Sequence, residues 1–158
     1  MGFEKTTSQI LFDNGVHKCI SFTSLVKGEG IQANQFLIID HERAAVIDPG
    51  GDLTYDPVAK ILFSGDMGAS IVEDASQPLK DFDTHVMKMK AFHQRYMCSN
   101  KVIRLWVNMV RQMDIEMIVP QHGSPFIGKE MINQFLDWIE VLPCGIDLMS
   151  EQIFSCPA

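Results

Sequence analysis

The feature that most restricts how this chain can fold is a carboxylate, Asp66, set just past the apolar run Ile61-Leu62-Phe63 in the turn Ser64-Gly65-Asp66-Met67-Gly68-Ala69-Ser70. Three apolar residues bounded by turn formers read as a short buried strand. A buried strand that delivers a carboxylate into a glycine-bracketed turn incurs a desolvation cost unless a cation receives it. The arrangement recurs where Ile118-Val119-Pro120 runs into Gln121-His122-Gly123-Ser124-Pro125. Two strand ends, each offering a metal-ligand side chain beside glycine, read as two walls of one site, and both strands then have to end at the same edge of a sheet.

The order of elements suits helices packed on a sheet. Gln9-Ile10-Leu11-Phe12 and Cys19-Ile20-Ser21-Phe22 flank Asp13-Asn14-Gly15, and Asn-Gly between apolar runs is a strong hairpin signal. Gln35 to Asp40 and Ala44 to Asp48 flank the charged turn His41-Glu42-Arg43 and read as buried strands, with Phe36 to Ile39 and Ala45 to Ile47 as their centres. From about Asp81 to Met113 the apolar positions recur at helical spacing, and Ser99-Asn100 divides the stretch into two helices, one of that pair capping the second. A last helix from near Lys129 presents Met131, Ile132, Phe135, Trp138, Ile139 and Leu142 and stops at Pro143 and Gly145. A chain of 158 residues makes one domain, 1–158, that buries roughly 68–70% of its unfolded surface.

Charge and composition exclude several classes. A net charge of −7 with no basic stripe disfavours nucleic acid. No run approaches the ~18 apolar residues of a membrane helix, so a soluble chain with no membrane partner is expected. Met1-Gly2-Phe3-Glu4-Lys5 lacks the flank and apolar core of a signal peptide, which makes a cytoplasmic address the default. The cysteines Cys19, Cys98, Cys144 and Cys156 form no C-x-x-C pair and are expected as reduced thiols rather than a zinc ribbon.

Ser64 and Ser124 lie outside the setting of a nucleophile elbow, and Gly28-Glu29-Gly30 lacks the rest of a dinucleotide fingerprint. Met87, Met89, Met97, Met109 and Met113 read as core packing rather than as a copper surface. His85 and His93 sit about two helical turns apart, too far for an i, i+4 chelate, and read as partly exposed. His17 and His41, beside turns, read as surface residues.

Taken together, Asn34 to Ile39, Val46-Ile47-Asp48-Pro49-Gly50, the strand ending in Gly65-Asp66 and the later Gln121-His122-Gly123 resemble the metallo-β-lactamase superfamily. Within it the segments Ser64 to Ser70 and Phe92-His93-Gln94-Arg95-Tyr96-Met97 are most similar to the diiron domain of flavodiiron proteins and oxygen-binding diiron proteins. The resemblance implies an α/β fold, an αββα sandwich with two metals at one edge of its sheets. Matched residue by residue, Asp66 takes the place of the carboxylate that bridges the metals, His122 that of the last histidine ligand, and Asp48 that of an aspartate near the site. The implied cofactor is a pair of iron ions, with zinc as the alternative, since these ligand types suit both.

The departure from the family pattern is as informative as the match. Family members carry a His-x-Glu-x-Asp-His or His-x-Asp-x-Asp-His cluster after the strand that ends near Asp48, and a further histidine before the carboxylate position. Here the stretch from Asp48 to Asp66 contains no histidine. Gly51-Asp52-Leu53-Thr54-Tyr55 resembles the exit of one family strand, while Asp56-Pro57-Val58-Ala59-Lys60 resembles a hairpin turn much later in the fold. An incomplete sandwich is therefore expected, lacking near Tyr55 the segment that carries the main ligand cluster.

Three functions follow as expectations. The first is a diiron-type domain that binds or reduces dioxygen or nitric oxide, with its chemistry impaired. No flavodoxin-like domain follows Ala158, which favours sensing over turnover as an oxidoreductase. The others are a zinc-dependent hydrolase and a metal-free remnant acting as an interaction module. The partners implied are dioxygen or nitric oxide, an electron-donor or signalling protein, and a second copy in a homodimer.

Overall fold

The computed structural model describes residues 6–24, 34–47 and 54–150. Asp48, Gly28 to Gly30 and Cys156 lie outside the described residues. The first sheet is an antiparallel meander of β1 (Thr6–Asp13), β2 (His17–Ser24), β3 (Asn34–Asp40) and β4 (Arg43–Ile47), in that order. The expected Asp13-Asn14-Gly15 hairpin is present. The Asn14 side chain accepts from the backbone N–H of His17 at 2.7 Å, and Gly15 takes φ +91°, which favours a residue with no Cβ.

The second sheet is built from β5 (Thr54–Asp56), β6 (Ile61–Phe63), β7 (Met117–Val119) and β8 (Phe126–Ile127). β5 and β6 form a hairpin across the place where a segment was expected to be missing. Asp56 Oδ1 closes its turn by accepting from Val58 N–H at 3.0 Å and Ala59 N–H at 3.1 Å. β6 and β7 run parallel, with Leu62 beside Ile118, so the chain between them must cross over. The crossover contains α1 (Phe82–Tyr96) and α2 (Asn100–Val110), and α3 (Lys129–Glu140) follows β8. Asp81 caps α1 by accepting from Thr84 N–H; Ser99 precedes α2 but makes no side-chain cap, and the Asn100 N–H is received instead by the Asp147 carboxylate.

Alternation along the strands sends successive side chains to opposite faces. Ile61, Phe63 and Val119 pack with Cys19, Phe36 and Ala59 between the sheets. Leu62 and Ile118 point the other way, into a core with Met89, Ile103, Val107, Phe126, Phe135 and Ile139, where the Phe126 and Phe135 rings stack at 4.5 Å. The described layers are thus sheet, sheet and helices. This is the expected sandwich with one helical layer, since among the described residues no helix packs on the outer face of the first sheet. Among the described residues no helix is long and apolar enough to cross a membrane.

Several expectations need correction. Of the methionines read as core, Met89 is fully buried but Met87 is 78% exposed and Met109 is also exposed, because both lie off the inward stripes of their helices. His85 and His93 are buried rather than partly exposed, and His17, expected on the surface, is buried between the sheets; only His41 lies in solvent. Cys19, Cys98 and Cys144 are free thiols, as expected.

Candidate metal centre

Parallel pairing puts the C-terminal ends of β6 and β7 side by side, and the loops that leave them carry Asp66 and His122. Three backbone hydrogen bonds lace those loops together. Ser64 N–H donates to the Val119 carbonyl at 3.1 Å, Gln121 N–H to the Gly65 carbonyl at 2.7 Å, and Ser70 N–H to the His122 carbonyl at 2.9 Å. The Asp66 loop is itself a tight turn. Met67 N–H donates back to the Ser64 carbonyl and Ala69 N–H to the Asp66 carbonyl, while the Ser64 hydroxyl donates to the Met67 carbonyl at 2.6 Å.

Two glycines let the loops close. Gly68 has φ +97°, and a Cβ there would sit 2.8 Å from the Phe126 ring. Gly123 has φ +105°, and a Cβ there would overlap Ser70. Both positions combine a left-handed backbone with a close approach, so both require glycine.

The result brings together the two residues singled out in the sequence. His122 Nε2 lies 3.7 Å from Asp66 Oδ1, with the imidazole mostly covered and the carboxylate 47% exposed. Phe92 from α1 stands 6.5 Å from the His122 ring, centroid to centroid, and forms one wall of the site. Each donor would stand about 2.0–2.2 Å from a bound zinc-like ion, so a 3.7 Å separation lets one ion sit between them. A pair of ions is a poorer fit. Among the described residues no third histidine, cysteine or carboxylate joins these two into a three-ligand set, and Asp48 cannot be placed.

His93, expected to be partly exposed, belongs to the support of this site. It is fully buried and stands between α1 and the Asp66 loop. Its Nδ1 donates to the Met89 carbonyl at 2.9 Å, which leaves Nε2 unprotonated to accept the Gly68 N–H at 3.0 Å. Burial holds its pKa below the ordinary histidine value, partly opposed by the Met89 hydrogen bond and the Asp66 charge. With both nitrogens engaged, His93 ties α1 to the Asp66 loop. The signal was available: His85, Met89 and His93 recur at i, i+4, i+8 and so share a helix face, and Met89 belongs to the core.

A second polar cluster lies at the other end of β6. His17 and Cys19 from β2 meet Asp56 at the end of β5, and all three are buried between the sheets. His17 Nε2 stands 2.6 Å from Asp56 Oδ2, and the Cys19 thiol donates to the same oxygen at 3.1 Å. No sequence motif marked this cluster.

Residues 53–123 match the family model described as ODP family beta lactamase. No curated protein matches the sequence. Among solved structures, the peroxy diiron species of the chemotaxis sensor ODP aligns with a TM-score of 0.76 at 24% identity, over 92% of this chain and 100% of that one. The apo state of chemotaxis sensor ODP from T. denticola aligns with a TM-score of 0.75 at 22% identity, over 94% of this chain and 99% of that one. The Flv1 flavodiiron core from Synechocystis gives 0.60 at 9% identity, over 85% of this chain and 61% of that one. The fold is therefore that of metallo-β-lactamase-like diiron domains, as the resemblance implied.

Proposed function

We propose that this chain is an oxygen-binding domain of the diiron metallo-β-lactamase type in which the metal site is reduced to Asp66 and His122. The observation that carries this reading is the convergence of those side chains to 3.7 Å at the ends of two parallel strands. Neighbouring parallel strand ends are where α/β sheets build their sites. The likeness to an ODP sensor and to a flavodiiron core supports iron as the metal and dioxygen as the ligand. Nitric oxide shares the chemistry of a diatomic that accepts electron density from ferrous iron, and it belongs to the same proposal.

Among the described residues, the donors at the site do not fit a full diiron pair. One carboxylate and one imidazole satisfy a single ion in part, whereas metal sites of this kind use about three or more protein ligands. The absence of any histidine between Asp48 and Asp66 supports loss of the segment that carries the main ligand cluster. Metal binding is accordingly weak and single, and turnover is impaired. What the chain itself supplies is a fixed carboxylate, an imidazole beside it and an aromatic wall from Phe92.

The test is anaerobic loading with ferrous iron, followed by metal analysis and absorption spectra before and after oxygen. At most one weakly held iron per chain is expected at this edge, and that iron is lost in both Asp66→Ala and His122→Ala. Two tightly held irons per chain, both lost on Asp66→Ala or His122→Ala, would overturn the reduced-site reading. Iron uptake that neither substitution changes would overturn the assignment of the site.

A further inference from the structure

We propose that His17, Cys19 and Asp56 form a second metal site, specific for a zinc-like divalent ion and separate from the edge that carries Asp66 and His122. It rests on no part of the oxygen-binding reading. The two clusters lie at opposite ends of β6. Asp56 pairs with Ile61 at the start of that strand, and Asp66 follows its end.

Three observations carry the assignment. The first is the donor set and its spacing. Asp56 Oδ2 stands 2.6 Å from His17 Nε2 and 3.1 Å from Cys19 Sγ, and Sγ stands 3.7 Å from Nε2, so the three donor atoms form one compact cluster. Bond lengths of 2.0–2.1 Å to nitrogen, about 2.3 Å to sulfur and 2.0–2.2 Å to oxygen require donors roughly 3.4–3.6 Å apart in a tetrahedron. The sulfur and nitrogen already meet that spacing, and the carboxylate oxygen has to withdraw by less than ~1 Å. Imidazole, thiolate and carboxylate together suit zinc better than magnesium or calcium, which take oxygen ligands.

The second observation is charge. The cluster is sealed between two sheets, where a buried unpaired charge is costly. A divalent ion with one thiolate and one carboxylate is electrically neutral. Binding therefore converts a hydrogen-bonded triad into a neutral complex and releases the thiol proton.

The third is the surrounding support. Asp56 Oδ1 is held by Val58 and Ala59 N–H, which aims Oδ2 inward. His17 Nδ1 is buried and makes no hydrogen bond, yet it lies 3.5 Å from Asp40 Oδ1. While Nε2–H donates to Asp56, Nδ1 of a neutral ring carries no proton. With Nε2 on a metal the proton moves to Nδ1 and faces the Asp40 carboxylate, the arrangement that orients metal-bound histidines. Three protein ligands make up three of the four positions that a tetrahedral zinc-like ion takes.

The experiment adds cobalt(II) to the full-length, reduced, metal-free chain and records its absorption spectrum. Expected are a thiolate-to-cobalt charge-transfer band in the near ultraviolet and tetrahedral d–d bands in the visible, saturating at one equivalent and displaced by zinc. Cys19→Ser abolishes the charge-transfer band, while Cys98→Ser and the double variant Asp66→Ala/His122→Ala retain it. The last variant separates this site from the proposed oxygen site, which has no thiolate. His17→Gln keeps the thiol and weakens cobalt binding by more than about tenfold, so the assignment can be judged even where Cys19→Ser fails to fold. A wild-type spectrum without a thiolate band, a band that survives in Cys19→Ser, or unchanged affinity in His17→Gln each overturns the site.

Discussion

Replacing His93 with leucine tests the claim that one buried imidazole holds the Asp66 loop in place. Leucine nearly fills the volume and keeps the side chain apolar, so cavity costs are small, and the Met89 carbonyl retains its helical backbone partner. What is lost is the acceptor for the Gly68 N–H, 3.0 Å from His93 Nε2 in a buried setting. Leaving a buried backbone donor unpaired costs about 1–3 kcal/mol. His93→Gln, whose amide oxygen can reach toward Gly68, should recover part of that. Urea unfolding at neutral pH measures the difference, and hydrogen exchange of the Gly68 amide locates it. The expected result is a drop of about 1–3 kcal/mol with faster exchange at Gly68 in the leucine variant. Asp66 lies two residues from Gly68, so iron uptake should weaken by roughly 10–100-fold, the usual effect of removing a group that orients a ligand. A loss under about 0.5 kcal/mol, or Gly68 exchange equal to wild type, would refute the reasoning and show that the Asp66 turn holds itself.

Three further outcomes are expected. Gly123→Ala must place a Cβ against Ser70 at a left-handed φ; overpacking and backbone strain together should cost about 2–5 kcal/mol, and a melting curve equal to wild type would contradict it. Burial, with the Lys88 charge adding to it, lowers the His85 pKa to about 4. The unfolded chain then binds the extra proton first, so the contribution is complete above pH 6.5 and falls by about 1.4 kcal/mol per unit as pH drops toward 4; His85→Leu should flatten that limb of the stability profile, and an unchanged limb would refute the assignment. Phe135→Ala, at a fully buried ring stacked on Phe126, should cost about 3–5 kcal/mol, whereas Met87→Gln on the exposed face of α1 should stay within about 0.5 kcal/mol, both read from urea midpoints.

The strand ends at Asp66 and His122 were legible in the sequence because the signal is local: a short apolar run, a glycine and a ligand-type side chain. Parallel adjacency of β6 and β7 then follows from the helical stretch between them, which serves as the crossover. The helices were legible for the same reason, through periodicity. What escaped was the burial of polar residues whose partners are remote. His17 follows Asn14-Gly15 and reads as a turn residue, yet it shares a strand face with Cys19 and Ser21, and that face is buried. Alternation could have placed it there once Cys19 was taken as core. Its partner Asp56 is supplied by the second sheet, and nothing along either segment specifies that meeting. Met87 shows the converse: apolar character alone implies burial, but the residue occupies the outward side of α1 and stays exposed.

The Asp66 and His122 loops are shaped by interactions that involve no metal. Ser64, Gln121 and Ser70 donate backbone hydrogen bonds across the two loops, His93 accepts from Gly68 N–H, and only glycine fits at 68 and 123 because Phe126 and Ser70 press against them. These contacts belong to the sheet and its helical core, which are set by burial of Leu62, Ile118, Phe126 and Phe135. A scaffold of this kind can lose ligands without losing the positions of those that remain. Metal affinity depends on how many donors converge, whereas fold stability here depends on apolar packing and paired backbone groups. The two quantities are therefore separable in this chain, and a stable fold carries no information about how firmly its edge would hold a metal ion.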